Sequence, residues 1–248
     1  MQKLRGRGNP LNPNYDILFD GFPRSGNTFG SFMLSGSQQG RVKVVTHRHT
    51  PPPFLRAAEL NRPACLTLRR PLDAITSWII YTNRPVRSVI RYYLDFHQIL
   101  LPYRSQFLIL PFFVITEDFP LVIQLINLRF GLNLESQFDL EACEREVFNK
   151  IDNKWRNESG IVNEFQVARP CSTREHRRMV TREELLHPRY ADSLQRCEEL
   201  YQTYKHEFVA SLNHYGLRVP DREKADLFVE KFDQINILGD SSPSPIQA

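Results

Sequence analysis

The chain has 248 residues, of which 41% are hydrophobic and 24% charged, and its formal net charge is +4. These values indicate one domain of ordinary size or two small ones, and they exclude a disordered chain, a collagen and a coiled coil. The small positive excess favours an anionic small ligand at least as much as a nucleic acid, and no Arg/aromatic RNA-binding motif is present, so we expect no nucleic-acid partner.

The sequence predicts a cytoplasmic protein. No run of about eighteen apolar residues is present, so we expect no membrane-spanning helix. No apolar stretch follows the basic residues Lys3, Arg5 and Arg7, so we expect no signal peptide. The four cysteines, at positions 65, 143, 171 and 197, form no CxxC pair and no zinc-like cluster, which predicts reduced thiols and no metal site.

Strand and helix patterns alternate along the chain. We expect a flexible arm over 1–14, one folded domain over 15–220 and a partly disordered extension over 221–248. Within the domain, the patterns in chain order predict strand 16–22, helix 28–34, strand 41–47, helix 53–60, strand 64–69, helices 71–81 and 86–102, strand 107–115, helices 118–131 and 140–154, a basic loop over 162–182 and helix 193–215. This alternation indicates a single-domain α/β protein with three α/β/α layers and a central parallel sheet.

The loop after the first strand resembles a phosphate-binding loop. Gly21, Gly26 and Thr28 match fixed positions of the pattern GxxxxGK[ST], but Asn27 stands in the lysine position. ATP hydrolysis is poorly supported without that lysine. The N–H groups at the helix start and the cation of Arg24 still predict a phosphate site in a P-loop NTPase-like fold. The plain alternative is a tight turn made by two glycines.

Two further loops carry candidate side chains. His47 and His49 follow the second strand, where a histidine can accept a proton from a substrate hydroxyl, although a capping histidine is the alternative. Arg69 leaves the third strand and Ser77 lies two turns into the next helix. This pair can clamp a dianionic group, or Arg69 can be one half of a solvated basic pair. We expect these loops at one edge of the sheet.

Together these residues resemble the sulfotransferase family, which transfers a sulfuryl group from 3′-phosphoadenosine 5′-phosphosulfate (PAPS). The family's 5′-phosphosulfate loop reads like YPKSGTTW, and residues 22–29 read FPRSGNTF. The family's 3′-phosphate motif RxPxDxxxS is matched by Arg69, Pro71, Asp73 and Ser77. The catalytic histidine of its KTH-like motif corresponds to His47, which lies 22 residues before Arg69, better than to His49.

The resemblance implies an enzyme that uses PAPS as co-substrate, releases 3′,5′-ADP and needs no metal. It implies that His47 is the general base and that Arg24 stabilises charge on the leaving phosphate. The implied nucleotide-binding residues are Arg24, Ser25, Gly26, Asn27, Thr28, Phe29, Arg69, Ser77 and Arg169. The acceptor would be a hydroxyl or amine of a small molecule or glycan, and neither its identity nor the oligomeric state follows from the sequence.

The chain departs from the family pattern in several places. Arg24 replaces a lysine, Phe29 replaces the tryptophan that stacks on adenine, and Thr116 replaces the tyrosine of a YED-like triplet at a strand end. The segment 169–181 keeps only Arg169, an aromatic-like histidine and the final threonine of the family's RKGxxGxWxxxxT motif. Two other hypotheses therefore stay open: a catalytically degenerate nucleotide-binding scaffold, and a P-loop kinase or hydrolase that uses ATP.

Overall fold

The computed structural model describes residues 14–167 and 172–218. Four strands, β1 (Ile17–Gly21), β2 (Val44–Val45), β3 (Ala64–Leu68) and β4 (Leu108–Pro111), form one parallel sheet in the order β2-β1-β3-β4. Every residue of β1, β3 and β4 is buried, as the apolar runs of a covered parallel sheet require. The parallel sheet confirms the α/β class.

Nine helices are described: α1 (Asn27–Ser37), α2 (Pro51–Glu59), α3 (Pro71–Thr82), α4 (Val86–Leu100), α5 (Phe112–Glu117), α6 (Phe119–Phe130), α7 (Leu140–Ser159), α8 (Glu175–Leu185) and α9 (Ala191–His214). Helix α3 begins at Pro71, whose missing N–H costs nothing at a helix start. Helix α1 contacts α5, α6 and α7, whereas α4 contacts α2 and α3. This grouping is compatible with helices on both faces of the sheet.

The predicted strand 107–115 is wrong in its second half. Pro111 ends β4, and residues 112–117 form α5 instead of strand. A proline cannot donate to a neighbouring strand, but it can precede a helix. Thr116 and Glu117 therefore lie on a helix, and the YED-like triplet is not at a strand end.

Two other predicted segments also differ from the structure. The second strand covers only Val44–Val45 of the predicted 41–47, since this edge strand pairs with β1 alone. The predicted loop 162–182 contains the start of α8 at Glu175. Helix α8 was missed because it buries little apolar surface; it packs against α3, and Arg182 pairs with Asp73 there.

The chain divides into two compact units, residues 1–208 and 209–248. The first unit holds the sheet. The described part of the second unit, 209–218, is the end of α9 and the turn at Gly216, whose φ is 66°. The predicted arm and C-terminal extension lie almost wholly outside the described residues and stay predictions.

Three cysteines, Cys65, Cys143 and Cys197, are free and buried, while Cys171 lies outside the described residues. Across 14–167 and 172–218, every helix is too short or too polar to cross a bilayer.

Candidate functional site

One cavity of about 800 Å³ is lined by the residues that follow β1, β2 and β3. In the sheet, β2 lies on one side of β1 and β3 lies on the other, so the strand order reverses at β1. Such a reversal opens a crevice at the carboxyl ends of the strands. The volume lies in the range of small-ligand pockets, about 300–1,000 Å³. Helices α3, α5, α7 and α8 complete the walls.

The first loop presents the N-terminus of α1 to this cavity. Gly26 has a φ of 90°, a left-handed conformation that glycine adopts without steric cost. The first helical bond runs from Gly30 N–H to the carbonyl of Gly26 at 2.8 Å. The N–H groups of Asn27, Thr28 and Phe29 precede that bond, so they have no intrahelical acceptor. A helix start with this geometry attracts anions.

Both polar atoms of the Asn27 side chain make hydrogen bonds within the protein. Its Nδ2 donates to the carbonyl of Phe22 at 2.9 Å, and its Oδ1 accepts from Thr67 Oγ1 at 2.5 Å. These two bonds tie the loop to β3, where a Cβ on Gly21 would collide with Thr67. Asn27 therefore offers an anion its backbone N–H.

Arg24 crosses the cavity from the first loop. Its Nε donates to Ser77 Oγ at 3.1 Å, and its two terminal nitrogens donate to the carbonyls of Gln166 (3.0 Å) and Val167 (3.1 Å). These acceptors are all neutral. Burial, together with the charges of nearby arginines, lowers the pKa of Arg24 to about 10.

Arg69 lies directly against this loop. Its Nη1 donates to the carbonyl of Arg24 at 2.7 Å, and its guanidinium covers the ring of Phe112 at 4.1 Å. Burial lowers the pKa of Arg69 to about 10, with Asp73 opposing that shift. The structure thus brings Arg24 together with Arg69 and Ser77, which lie 45 and 53 residues further along the chain.

Two arginines near α8 extend this group, and we call Arg24, Arg69, Arg174 and Arg178 the cation cluster. Arg174 donates to the carbonyl of Val167 at 3.0 Å, and Arg178 pairs with Glu175 at 3.0 Å. With Lys154, the described lining has five cationic side chains against two acidic ones, Glu144 and Glu175. Such a wall suits a ligand that carries several negative charges.

Residues 46–49, which we call the histidine loop, follow β2, and two of them, His47 and His49, line the cavity. His47 and His49 have left-handed φ values of 58° and 53°, so the chain is no longer extended there. Both rings line the cavity, with centroids 5.7 Å apart. His47 Nε2 lies 2.8 Å from Thr28 Oγ1 at the start of α1.

Asp20, a residue of β1, holds the histidine loop in place. It is 0% exposed, and its Oδ2 accepts from the N–H groups of Arg48 (2.6 Å) and His49 (2.9 Å). His49 Nδ1 lies 3.1 Å from Asp20 Oδ1 and 2.9 Å from the carbonyl of Gly21. The sequence reasoning missed Asp20, although a carboxylate within an apolar strand was a usable signal.

Asp20 and His49 shift each other's protonation. Burial alone raises the pKa of Asp20, but hydrogen bonds and charge from His49 outweigh it and leave that pKa lowered. Burial alone lowers the pKa of His49, but the hydrogen bond and charge of Asp20 outweigh it and leave that pKa raised. The pair therefore favours an ionised carboxylate beside a proton-binding ring.

The remaining predicted residues are placed as follows. Phe29 lines the cavity, and its ring lies 5.6 Å from that of Phe148 on α7. Ser25 is buried away from the lining, and its Oγ has no hydrogen-bond partner among the described residues. Thr116 lines the cavity from α5, with its hydroxyl bonded to the carbonyl of Phe112 at 3.0 Å. Arg169 lies outside the described residues.

The lining also has an aromatic part, which comprises Trp78, Tyr81, Phe148, Trp155 and Phe165. Trp78 and Tyr81 stack at 5.2 Å with an interplanar angle of 9°. Flat apolar walls beside a cation cluster suit a ligand with an aromatic ring and several charges.

No family model, curated protein or solved structure matches this chain significantly.

Proposed function

We propose that this protein is a PAPS-dependent sulfotransferase with a three-layer, P-loop NTPase-like fold. The observation that carries the proposal is the cation cluster beside the N-terminus of α1. Arg24 and Arg69 are half-buried and in contact, and the acceptors named for Arg24 are neutral. An anion with two separate charged groups would supply the missing negative charge.

The parts of PAPS correspond to different parts of the site. The N–H groups at the start of α1, with Arg24, would hold the 5′-phosphosulfate. Arg69 and Ser77 would hold the 3′-phosphate, and Arg169 belongs to this proposal as a further ligand. The rings of Phe29 and Phe148 offer faces for the adenine.

The proposed reaction is an in-line transfer to a hydroxyl or amine of a small molecule or glycan. The acceptor atom attacks sulfur, the bond from sulfur to the bridging oxygen breaks, and charge develops on the departing phosphate. Arg24 would stabilise that charge, and no metal is required. The family correspondence gives His47 as the base, within hydrogen-bond distance of Thr28. A cytoplasmic location is part of the same proposal.

Nucleotide binding gives the first test. We expect 3′,5′-ADP to bind at least ~10-fold more tightly than 5′-ADP in calorimetry, a difference of about 1.4 kcal/mol. Equal affinities would contradict the 3′-phosphate site, and stronger binding of ATP would favour the kinase hypothesis.

Transfer gives the second test. The protein is incubated with PAPS carrying ³⁵S, and with a phenol, a primary alcohol, an amino sugar or water as acceptor. We expect labelled ester, sulfamate or free sulfate above the protein-free rate. Tight binding of 3′,5′-ADP with no transfer to any of these acceptors would favour the scaffold hypothesis instead.

A further inference from the structure

Two imidazole rings, those of His47 and His49, line the cavity, and the proposed transfer needs one base to take the acceptor's proton. The surroundings of the two rings differ. We propose that His49, oriented by Asp20, takes the proton from the acceptor. His47 instead serves the first turn of α1. This inference rests on the proposed function, because it assigns a residue to the proposed transfer.

The ring of His49 is oriented from one side. Its Nδ1 hydrogen-bonds the carbonyl of Gly21 at 2.9 Å and lies at ion-pair distance, 3.1 Å, from Asp20 Oδ1, which has no hydrogen-bond partner among the described residues. An ionised carboxylate and a carbonyl can only accept, so Nδ1 carries the proton of the neutral ring. The lone pair then resides on Nε2, the nitrogen that a general base uses. The side chain of His49 is 23% exposed and lines the cavity.

The backbone of His49 is held from two further directions. Its N–H donates to Asp20 Oδ2 at 2.9 Å, and its carbonyl accepts the hydroxyl hydrogen of Tyr92 from α4. A base held from a strand and a helix keeps its orientation before the substrate arrives, which lowers the entropic part of the barrier. Asp20 acts through His49 and is a positioning residue.

His47 is arranged differently. Its Nε2 already contacts the hydroxyl of Thr28 at 2.8 Å, at the helix start proposed to hold the phosphosulfate. A hydrogen bond at that nitrogen occupies the atom needed for proton transfer. His47 therefore orients the first turn of α1, on the side of the cavity where the phosphosulfate is proposed to bind.

The step balances as follows. The acceptor oxygen or nitrogen forms a bond to sulfur, and the bond between sulfur and the bridging oxygen breaks. The electron pair of that bond goes to the phosphate of 3′,5′-ADP. The acceptor's proton moves to Nε2 of His49 and is later lost to water.

Matched variants test the assignment with ³⁵S-labelled PAPS and the best acceptor of the panel, water included. The variants are His49→Gln, His47→Gln and Asp20→Asn, with His206→Gln as an exposed control on α9. We expect kcat to fall ~10²–10⁴-fold in His49→Gln, the usual contribution of a general base. We expect a loss of kcat at least tenfold smaller in His47→Gln, and affinity for 3′,5′-ADP within threefold of wild type in His49→Gln.

The pH profile separates positioning from simple structural support. The groups facing His49 are Asp20, Arg24, His47 and Tyr92. The rate should rise with pH as His49 loses its proton. In Asp20→Asn the midpoint should move to lower pH, because the charge that favours protonation is gone, while the KM for PAPS stays unchanged. A profile that does not move would overturn the role of Asp20.

Nitrogen NMR of the wild-type protein provides a readout that needs no turnover and no folded variant. The neutral ring of His49 should be the Nδ1–H tautomer. An Nε2–H tautomer, or a loss in His47→Gln as large as in His49→Gln, would overturn the inference and leave the proposed function standing. A wild-type protein that transfers nothing from PAPS would overturn the proposed function itself.

Discussion

The cation cluster and the histidine loop line the same cavity, but the groups that face their charged side chains differ. Among the described residues, the hydrogen-bond acceptors of Arg24 are neutral, and neighbouring arginines add to the lowering of its pKa by burial. His49 has a buried carboxylate beside it, and its pKa is raised. His49 therefore has a counter-charge within the fold, whereas we expect the cation cluster to be stabilised by a bound anion.

The largest effect is expected from removing the cation of Arg24. Arg24→Ala should lower the turnover of ³⁵S-labelled PAPS by ~10²-fold or more, the usual cost of losing one preorganised donor. Arg24→Lys keeps the charge and should lose much less. Turnover of Arg24→Ala near the wild-type rate would show that the cation cluster has no part in the reaction.

His97 provides a comparison for His49. It is also affected by burial, but no carboxylate lies beside it among the described residues. It is 1% exposed, its Nδ1 lies 2.9 Å from the carbonyl of Tyr93, and burial lowers its pKa to about 4. The unfolded chain, with a pKa near 6.5, takes up the proton first as the pH falls. Stability from neutral His97 is therefore complete above about pH 6.5 and is lost as the pH falls toward 4.

Between pH 7 and pH 5 we expect His97 to account for a loss of about 2 kcal/mol in the free energy of unfolding. Urea titrations of the wild type and of His97→Phe at both pH values measure this, because the variant lacks the titrating group. An equal loss in both proteins would assign the acid sensitivity to other groups.

A smaller effect tests how selective the cation cluster is. Arg69→Ala should abolish the preference for 3′,5′-ADP over 5′-ADP, at least ~10-fold in affinity. Arg70→Ala is the matched control, since its side chain is next in sequence but does not line the cavity. Calorimetry with both nucleotides measures the difference. A preference that survives in Arg69→Ala, or that disappears in Arg70→Ala, would place the 3′-phosphate elsewhere.

The cation cluster and the place of His47 and His49 were partly predictable from the sequence, and the pairing of His49 with Asp20 was not. Arg24 and Arg69 each follow a buried strand, and parallel strands end at one edge, so their meeting follows from the strand pattern. Pro71 marks the start of α3, which fixes the position of Ser77. Nothing local indicates that Asp20 pairs with His49, because that contact depends on left-handed backbone beyond a two-residue strand.

Elsewhere, the errors have local physical causes. The apolar run 107–115 gives no period that separates a buried strand from a buried helix, so α5 was read as strand. The charged surface of α8 gives a weak helical pattern, since its partner is α3 rather than the sheet. The aromatic residues of α7 lie more than a hundred positions from the first loop, and only the folded chain brings Phe148 to Phe29.

The bonds from Arg24 to Gln166 and Val167 span 142 and 143 residues of chain. The last strand in the part of the chain that the structure describes ends at Pro111, so all four strands of the described sheet are synthesised long before the carbonyls of Gln166 and Val167. At a synthesis rate of ~5–20 residues per second, Arg24 would precede these carbonyls by roughly 7–30 s. On the ribosome the sheet can form first, while the guanidinium of Arg24 stays hydrated until the chain has grown past residue 167.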